Sequence, residues 1–258
     1  LIRGIIFDLG GTLVRFTGDW KAVSREGAEA MATWYLKKKH IKLDAPALIE
    51  TFLTERVAGW EVARQTQIEV LAQQTLRQAL QKIDAPSSAE ALVEAALKVY
   101  FGPEEALWQG YPDTVDTLKS LGGHYHDYRG CRLGLYSNAT DDAFVQRLVN
   151  QCGLRPWLSP TFSSAGWGWR KPRRELFDLI ARRWELSPQE IVVVGDTLDA
   201  DVLGAQNAGM PSILMTMDEN PCNTNHRHIQ PTAVAGSLSE LPELVAQLWE
   251  GMKKYREE

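Results

Sequence analysis

Asp8 ends an apolar run, Ile5-Ile6-Phe7, and opens the stretch Asp8-Leu9-Gly10-Gly11-Thr12-Leu13. A carboxylate is a competent covalent nucleophile. Three further islands carry chemistry-bearing residues: Tyr136-Ser137-Asn138, Arg170-Lys171-Pro172, and Gly195-Asp196-Thr197 followed by Asp201. Carboxylates, a lysine and hydroxyl or main-chain donors together suit transfer of a phosphoryl group. Such transfer needs a nucleophile in line, a cationic clamp, and a cation to screen the repulsion between nucleophile and phosphoryl oxygens. Mg2+ takes hard oxygen ligands and keeps several waters, so few protein groups suffice to hold it.

The elements that must position these residues are readable around them. Residues 2–9 form a short apolar run rich in β-branched side chains, the pattern of a buried strand in a parallel sheet. Similar runs are Cys131-Arg132-Leu133-Gly134-Leu135-Tyr136, ending at Ser137-Asn138, then Ile191-Val192-Val193-Val194, ending at Gly195-Asp196, and Ser212-Ile213-Leu214-Met215. Ligands of open α/β sheets bind at the carboxyl ends of strands, so Asp8, Ser137 and Asp196 are expected to share one crevice.

Between residue 15 and about 107 no strand is expected. Helical spacing dominates instead, in Ile49, Phe52, Leu53, Val57 and Trp60, and again in Ile68, Leu71, Ala72, Thr75, Leu76, Ala79, Leu80 and Ile83. A capping box, Ser87-Ser88-Ala89-Glu90, starts another helix, with Leu92, Ala95, Ala96 and Val99 on one face. With an earlier helix over residues 21–38, four helices in a small bundle are expected, their apolar stripes serving as packing. Further helices are expected over residues 113–121, 142–152, 174–184 and 241–255, with Ser187-Pro188-Gln189-Glu190 capping a turn. The fold class is thus α/β, a Rossmann-like doubly wound parallel sheet core of residues 1–15 and 108–258, with an inserted α-helical domain of residues 16–107. Hinges are expected near 14–20 and 105–112.

The chain has 258 residues, 44% apolar and 24% charged, as an ordered globular protein does. Its net charge of -5 provides no footprint for nucleic acid or an anionic membrane. Arg3, Gly4 and Asp8 interrupt the first apolar stretch, which is too short and polar for a signal peptide or membrane span, so a cytoplasmic location is expected. Cys131, Cys152 and Cys222 lack any C-x-x-C pattern and read as structural thiols of a reducing compartment. Oligomeric state has no sequence signal.

The four islands, in this order and with a helical insertion after the first, resemble the haloacid dehalogenase-like (HAD) superfamily, specifically its members with an α-helical cap in that position. The resemblance covers nearly the whole chain. It implies Mg2+-dependent hydrolysis of a small organic phosphate through an aspartyl-phosphate on Asp8. One carboxylate oxygen of Asp8, the main-chain carbonyl of Gly10 and Asp196 would hold the metal. Lys171 would clamp the phosphoryl group and Asp8, while Ser137 and the backbone at Asn138 would donate to phosphoryl oxygens. Thr12 belongs with the substrate-binding residues, steadying the Asp8 loop. Asp201 would orient Lys171 or a metal-bound water.

One position departs from the pattern. Hydrolytic members carry an Asp where this chain has Gly10, and that Asp protonates the leaving group and later activates water. Its loss costs roughly a hundred- to ten-thousandfold in rate. Three explanations are open: a substrate with a good leaving group, such as an acyl or aryl phosphate; an acid from the insertion or its hinge, for which Asp19, Glu26 and His40 are candidates; or a phosphate-binding or regulatory protein with little turnover. Dehalogenase members lack the second acidic metal ligand, and Asp196 argues against them. Phosphonate-cleaving members use a cap lysine, for which Lys21 and residues 37–39 are available, although that run reads as a solvated helix face. Trp167 and Trp169 either line the substrate mouth or pack on the sheet. His226-Arg227-His228, His124 and His126 read as exposed.

Overall fold

The computed structural model describes residues 1–38, 43–85, 89–122 and 130–254. Ser87 and Ser88 of the expected capping box, and Lys39, His40, His124, His126 and Tyr255, lie outside the described residues.

Strand β1 (Gly4–Phe7) leads into a short strand β2 (Val14–Phe16) and then four helices, α1 (Trp20–Leu36), α2 (Ala45–Thr66), α3 (Ala72–Lys82) and α4 (Glu90–Glu105). The chain returns through β3 (Trp108–Gly110), α5 (Thr114–Gly122), β4 (Arg132–Ser137), α6 (Asp142–Gln151), β5 (Thr161–Ser163) and the single turn α7 (Ser164–Trp167). It continues with α8 (Glu175–Trp184), β6 (Ile191–Gly195), α9 (Leu203–Ala208), β7 (Ser212–Met215), β8 (Ala233–Ala235) and α10 (Leu241–Lys254). Six parallel strands form one sheet in the order β5-β4-β1-β6-β7-β8. The chain moves out from β1 in both directions, so the sheet's topological switch point, where ligands of such folds bind, lies at the end of β1.

Both faces of this sheet are covered, which is why its inner strands read as continuous apolar runs. Side chains alternate all the same: Ile5 and Phe7 of β1 join one buried cluster with Val192 and Val194 of β6, while Ile6 joins a second with Ile191 and Val193. Helix α8 caps the second cluster with Leu176, Phe177, Ile180 and Trp184. The expected Ser187 to Glu190 capping box is present, the Ser187 N–H donating to Glu190 Oε2 at 2.9 Å.

Four strands were not expected. β5 and β8 are three-residue edge strands, too short to show a periodicity. β2 and β3 pair antiparallel where the insertion leaves and rejoins the sheet, at the segments expected to act as hinges. The four helices pack around Met31, Tyr35, Leu48, Phe52, Leu76, Leu80, Val93 and Leu97, all buried. The apolar stripe of α2 does not pack along its whole length, however. Val57 is 70% exposed and Trp60 47%, because the second half of the helix runs out over a cavity that Trp60 lines. No helix among the described residues is long and apolar enough to cross a membrane.

Candidate active site

Asp8 follows β1 and is anchored by its main chain, its N–H donating to the Val194 carbonyl at 2.9 Å. The loop beyond it closes tightly, with the Leu13 and Val14 N–H groups both donating to the Leu9 carbonyl, at 2.8 and 3.0 Å. Gly11 has φ +74° and abuts the Asp196 carboxylate, so both conformation and space demand glycine there. Gly10 has no such backbone constraint. A Cβ there would instead lie 2.8 Å from Cη2 of the Trp108 ring, which fills the space where a side chain would stand.

Lys171 is buried, with Nζ 2.5 Å from Asp8 Oδ1 and 2.6 Å from Asp201 Oδ1. The Asn138 side chain fixes the Lys171 backbone: Oδ1 accepts from the Lys171 N–H at 2.9 Å and Nδ2 donates to its carbonyl at 3.2 Å. Asn138 therefore spends its side chain on positioning Lys171, and only its main chain is left to face a ligand. Asp201 uses its second oxygen to accept from the Thr197 N–H at 3.0 Å. Asp196 is held by the Thr197 hydroxyl at 3.1 Å and by Asn220 Nδ2 at 2.7 Å. Asn223 adds a bond to the Asp196 carbonyl at 2.8 Å. Ser137 and Asn138 line the cavity beside Asp8, Lys171 and Asp196. Thr12 does not: it is fully buried behind the loop, its Oγ1 without a hydrogen-bond partner among the described residues, so its place is in the loop's core rather than against substrate.

One carboxylate oxygen each from Asp8, Asp196 and Asp201 lies within 4.8 Å of the others. Burial pushes Asp8 up to about 7, opposed by Lys171 and reinforced by Asp201 and Asp196. Burial, with Asp201 next, pushes Asp196 up to about 6. Burial works against the Lys171 charge, yet Asp201 and Asp8 outweigh it and push the ammonium up to about 12. Hard oxygen donors crowded together and held back from ionising fit a divalent cation, whose charge would relieve both effects. Asp8 and Asp196 are the more accessible ligands, 9% exposed and half-buried, whereas Asp201 is 2% exposed and bonded to the Lys171 ammonium and the Thr197 N–H.

The cavity above these groups has a volume of about 700 Å³, within the usual range for a small-molecule site. Its far wall comes from the helical insertion: Trp20 and Ser24 of α1, Arg56, Trp60 and Arg64 of α2, and Glu104 of α4. The insertion is tied down beside Lys171. Glu69, between α2 and α3, has a fully buried carboxylate that accepts from Arg170 Nη1 at 2.8 Å and from the Ser164 hydroxyl at 2.5 Å. Main-chain bonds join Glu69 N–H to the Gly168 carbonyl at 2.8 Å and Arg170 N–H to the Gln67 carbonyl at 3.0 Å.

The other candidates lie elsewhere. Asp19 caps α1, accepting from the Ala22 N–H at 2.7 Å, and Glu26 is exposed; neither lines the cavity. Lys21 and Lys37 are exposed away from it, and Lys38 sits over the Trp34 ring at 4.5 Å. Trp167 and Trp169, 46% and 37% exposed, do not line the cavity; Trp167 packs against the sheet, its ring 4.7 Å from that of Phe162 on edge strand β5. His226 faces Asp199 at 3.4 Å. Sequence reading missed Trp108, Glu104 and the two asparagines. Asn220-Pro221-Cys222-Asn223 was a usable signal, a polar turn following a strand of the sheet.

A doubly wound sheet with a carboxylate, a lysine and a second acidic pair at its switch point defines a class of α/β hydrolase. Residues 2–209 match the model of the haloacid dehalogenase-like hydrolase family, and the chain belongs to that family. It is 28% identical over 156 residues to a glyceraldehyde 3-phosphate phosphatase of Methanothermobacter thermautotrophicus; that match spans 60% of this chain and 66% of the relative, just under two thirds of its length. A phosphoglycolate phosphatase of Shigella dysenteriae is 30% identical over 233 residues, covering 85% of this chain and 83% of that one. Among solved structures, a 2-haloacid dehalogenase from Pseudomonas syringae pv. Tomato superposes with a TM-score of 0.68 at 25% identity, over 96% of this chain and 99% of the other.

Proposed function

We propose that this chain is a Mg2+-dependent phosphohydrolase acting on a small organic phosphate through an aspartyl-phosphate on Asp8. The observation that carries the reading is the buried Asp8–Lys171–Asp201 array at 2.5 and 2.6 Å, with Asp196 in the same carboxylate cluster. Asp8 attacks phosphorus, its O–P bond forming as the ester O–P bond breaks. Lys171, held by Asp201 and by the Asn138 side chain, presents its ammonium to the phosphoryl oxygens. The Ser137 hydroxyl and the Asn138 main-chain N–H donate to the same oxygens. Asp8, Asp196 and the Gly10 carbonyl would hold Mg2+, which when bound supplies the charge that lets nucleophile and phosphoryl group approach. Water then cleaves the acyl phosphate and restores Asp8. Residues 16–107 serve as a cap over a core of residues 1–15 and 108–258, and the unpaired thiols among the described residues favour a reducing, cytoplasmic setting.

Phosphate release from a panel of phosphate esters and acyl phosphates, with and without Mg2+, tests the reading. Wild type should release phosphate only with the metal, and Asp8→Asn should fall to background; equal release by both proteins on every substrate would overturn it. The second reading, a phosphate-binding or regulatory protein with little turnover, draws its support from the Trp108 ring over Gly10. It predicts that inorganic phosphate binds while no Asp8-dependent release occurs. The paired Asp196 and Asp201 carboxylates favour phosphate chemistry over dehalogenation. Lys21, Lys37 and Lys38 do not line the cavity, so none of the described candidate lysines supports phosphonate cleavage; Lys39 lies outside the described residues.

A further inference from the structure

The space beside the nucleophile holds an aromatic ring. Cη2 of Trp108 stands 2.8 Å from where a Gly10 Cβ would be, and Glu104 Oε1 locks the indole by accepting from Nε1 at 3.2 Å. The acids nearest Asp8 are otherwise committed: Asp201 to Lys171 and Thr197, Asp196 to Thr197 and Asn220. Among the described residues no uncommitted carboxyl therefore stands next to Asp8 to protonate a departing alkoxide. Trp108 also begins an aromatic wall. Its ring meets Trp20 edge-on at 5.6 Å, and Trp20 stacks on Phe16 at 3.8 Å. Trp60 lines the cavity from α2, with the Arg64 guanidinium 5.6 Å from its ring. Phe16 covers one face of Trp20 and Arg64 sits over the Trp60 ring, yet the two side chains remain 53% and 47% exposed, which leaves part of each ring accessible to a ligand.

We propose that the substrates are aryl phosphate monoesters, whose phenolate leaves Asp8-bound phosphorus without a proton while its ring stacks on the Trp20, Trp60 and Trp108 wall. The inference rests on the phosphohydrolase reading above and narrows it. In the first step the ester P–O bond breaks with its electron pair passing to the phenolic oxygen, and the Asp8 O–P bond forms. The phenolate departs as an anion and takes its proton from bulk water. In the second step water attacks, the Asp8 O–P bond breaks, the carboxylate is regenerated and the water's proton passes to phosphate or solvent. The carboxylates beside Asp8 among the described residues are already hydrogen-bonded and offer no ready base for this second step, so the leaving group is read in kcat/KM, which reports the first step alone.

The test compares acetyl, phenyl, 2-naphthyl and propyl phosphates with Mg2+ in wild type, Trp20→Ala, Trp60→Ala and Glu104→Gln. Phenyl phosphate should exceed propyl phosphate in kcat/KM by at least about a hundredfold, the effect of a missing acid. Naphthyl phosphate should bind more tightly than phenyl. Either tryptophan variant should raise KM for the aryl esters by roughly three- to tenfold relative to acetyl phosphate, as loss of a stacked ring predicts. Both tryptophans are half exposed, so their truncation leaves the core intact. Propyl phosphate turned over within tenfold of phenyl would overturn the proposal, and its loss in Glu104→Gln would assign the proton to Glu104. Unchanged aryl-to-acetyl KM ratios in both tryptophan variants would also overturn it. Asp8-dependent turnover of acetyl phosphate alone would refute the aryl class and leave the phosphohydrolase reading standing; no Asp8-dependent release from any substrate would remove that reading, and this one with it.

Discussion

Gly10→Asp should not by itself restore a general acid, because the obstacle is the Trp108 ring and not the backbone. The new Cβ would start 2.8 Å from Cη2 of the ring, and the carboxylate beyond it has nowhere to go unless the indole moves. Overpacking of this kind costs about 1–3 kcal/mol. In a domain of this size each kcal/mol lowers Tm by about 2–4 °C. The single variant should therefore melt several degrees early while alkyl phosphate turnover stays at the wild-type level. Trp108→Ala opens the space, at a cost of about 2 kcal/mol for a half-buried ring. In the double variant the aspartate fits, and a donor beside Asp8 should raise kcat/KM for propyl phosphate by about 10²–10⁴. Both singles should lack that gain, so the coupling between the two sites amounts to about 3–5 kcal/mol in the barrier. The assay is kcat/KM for propyl and phenyl phosphate in the four proteins, with a thermal melt of each. Full recovery of alkyl turnover in Gly10→Asp alone, without loss of Tm, would refute the steric argument. No gain in a folded double variant would refute the placement of the acid.

Two further outcomes follow from buried charge. Glu69→Gln leaves the Arg170 guanidinium, 11% exposed, without its ion pair, and should destabilise the protein by about 3–5 kcal/mol in urea unfolding; a change under about 0.5 kcal/mol would mean the pair does not hold the insertion to the sheet. In the metal-free protein Asp8 and Asp196, at about 7 and about 6, keep protons that the unfolded chain has lost above its ordinary 3.8. The native state binds more protons than the unfolded one between about pH 4 and 7, so these groups make stability fall as pH rises through that window. Lys171 contributes stability below its ordinary 10.5 that is lost only as pH rises through about 12, outside the window. Unfolding free energies at pH 4.5 and 7.5 for wild type and Asp8→Asn/Asp196→Asn check this. The wild type should lose more stability than the variant over that interval, and Mg2+ should shrink the difference; a larger loss in the variant would refute it.

Sequence alone determined the frame and the chemistry it brings together. β1, β4, β6 and β7 announce themselves because strands covered on both faces are continuously apolar, and three of them end at Asp8, Ser137 and Asp196. Parallel strands point their carboxyl ends the same way, so those residues had to meet once the sheet was recognised. The helices of the insertion were equally readable from their period, although not where that period stops meaning burial, as at Val57 and Trp60. Tertiary structure alone decided the partners, because a local pattern records which way a side chain faces and not what the returning chain brings against it. Trp108 reaches Gly10 only because β3 pairs back onto β2. Arg170 meets Glu69 across 101 residues, and Asn220 and Asn223 fold back onto Asp196 across 24 and 27. The sequence showed that Gly10 lacks a carboxylate; the fold showed that an indole occupies its place.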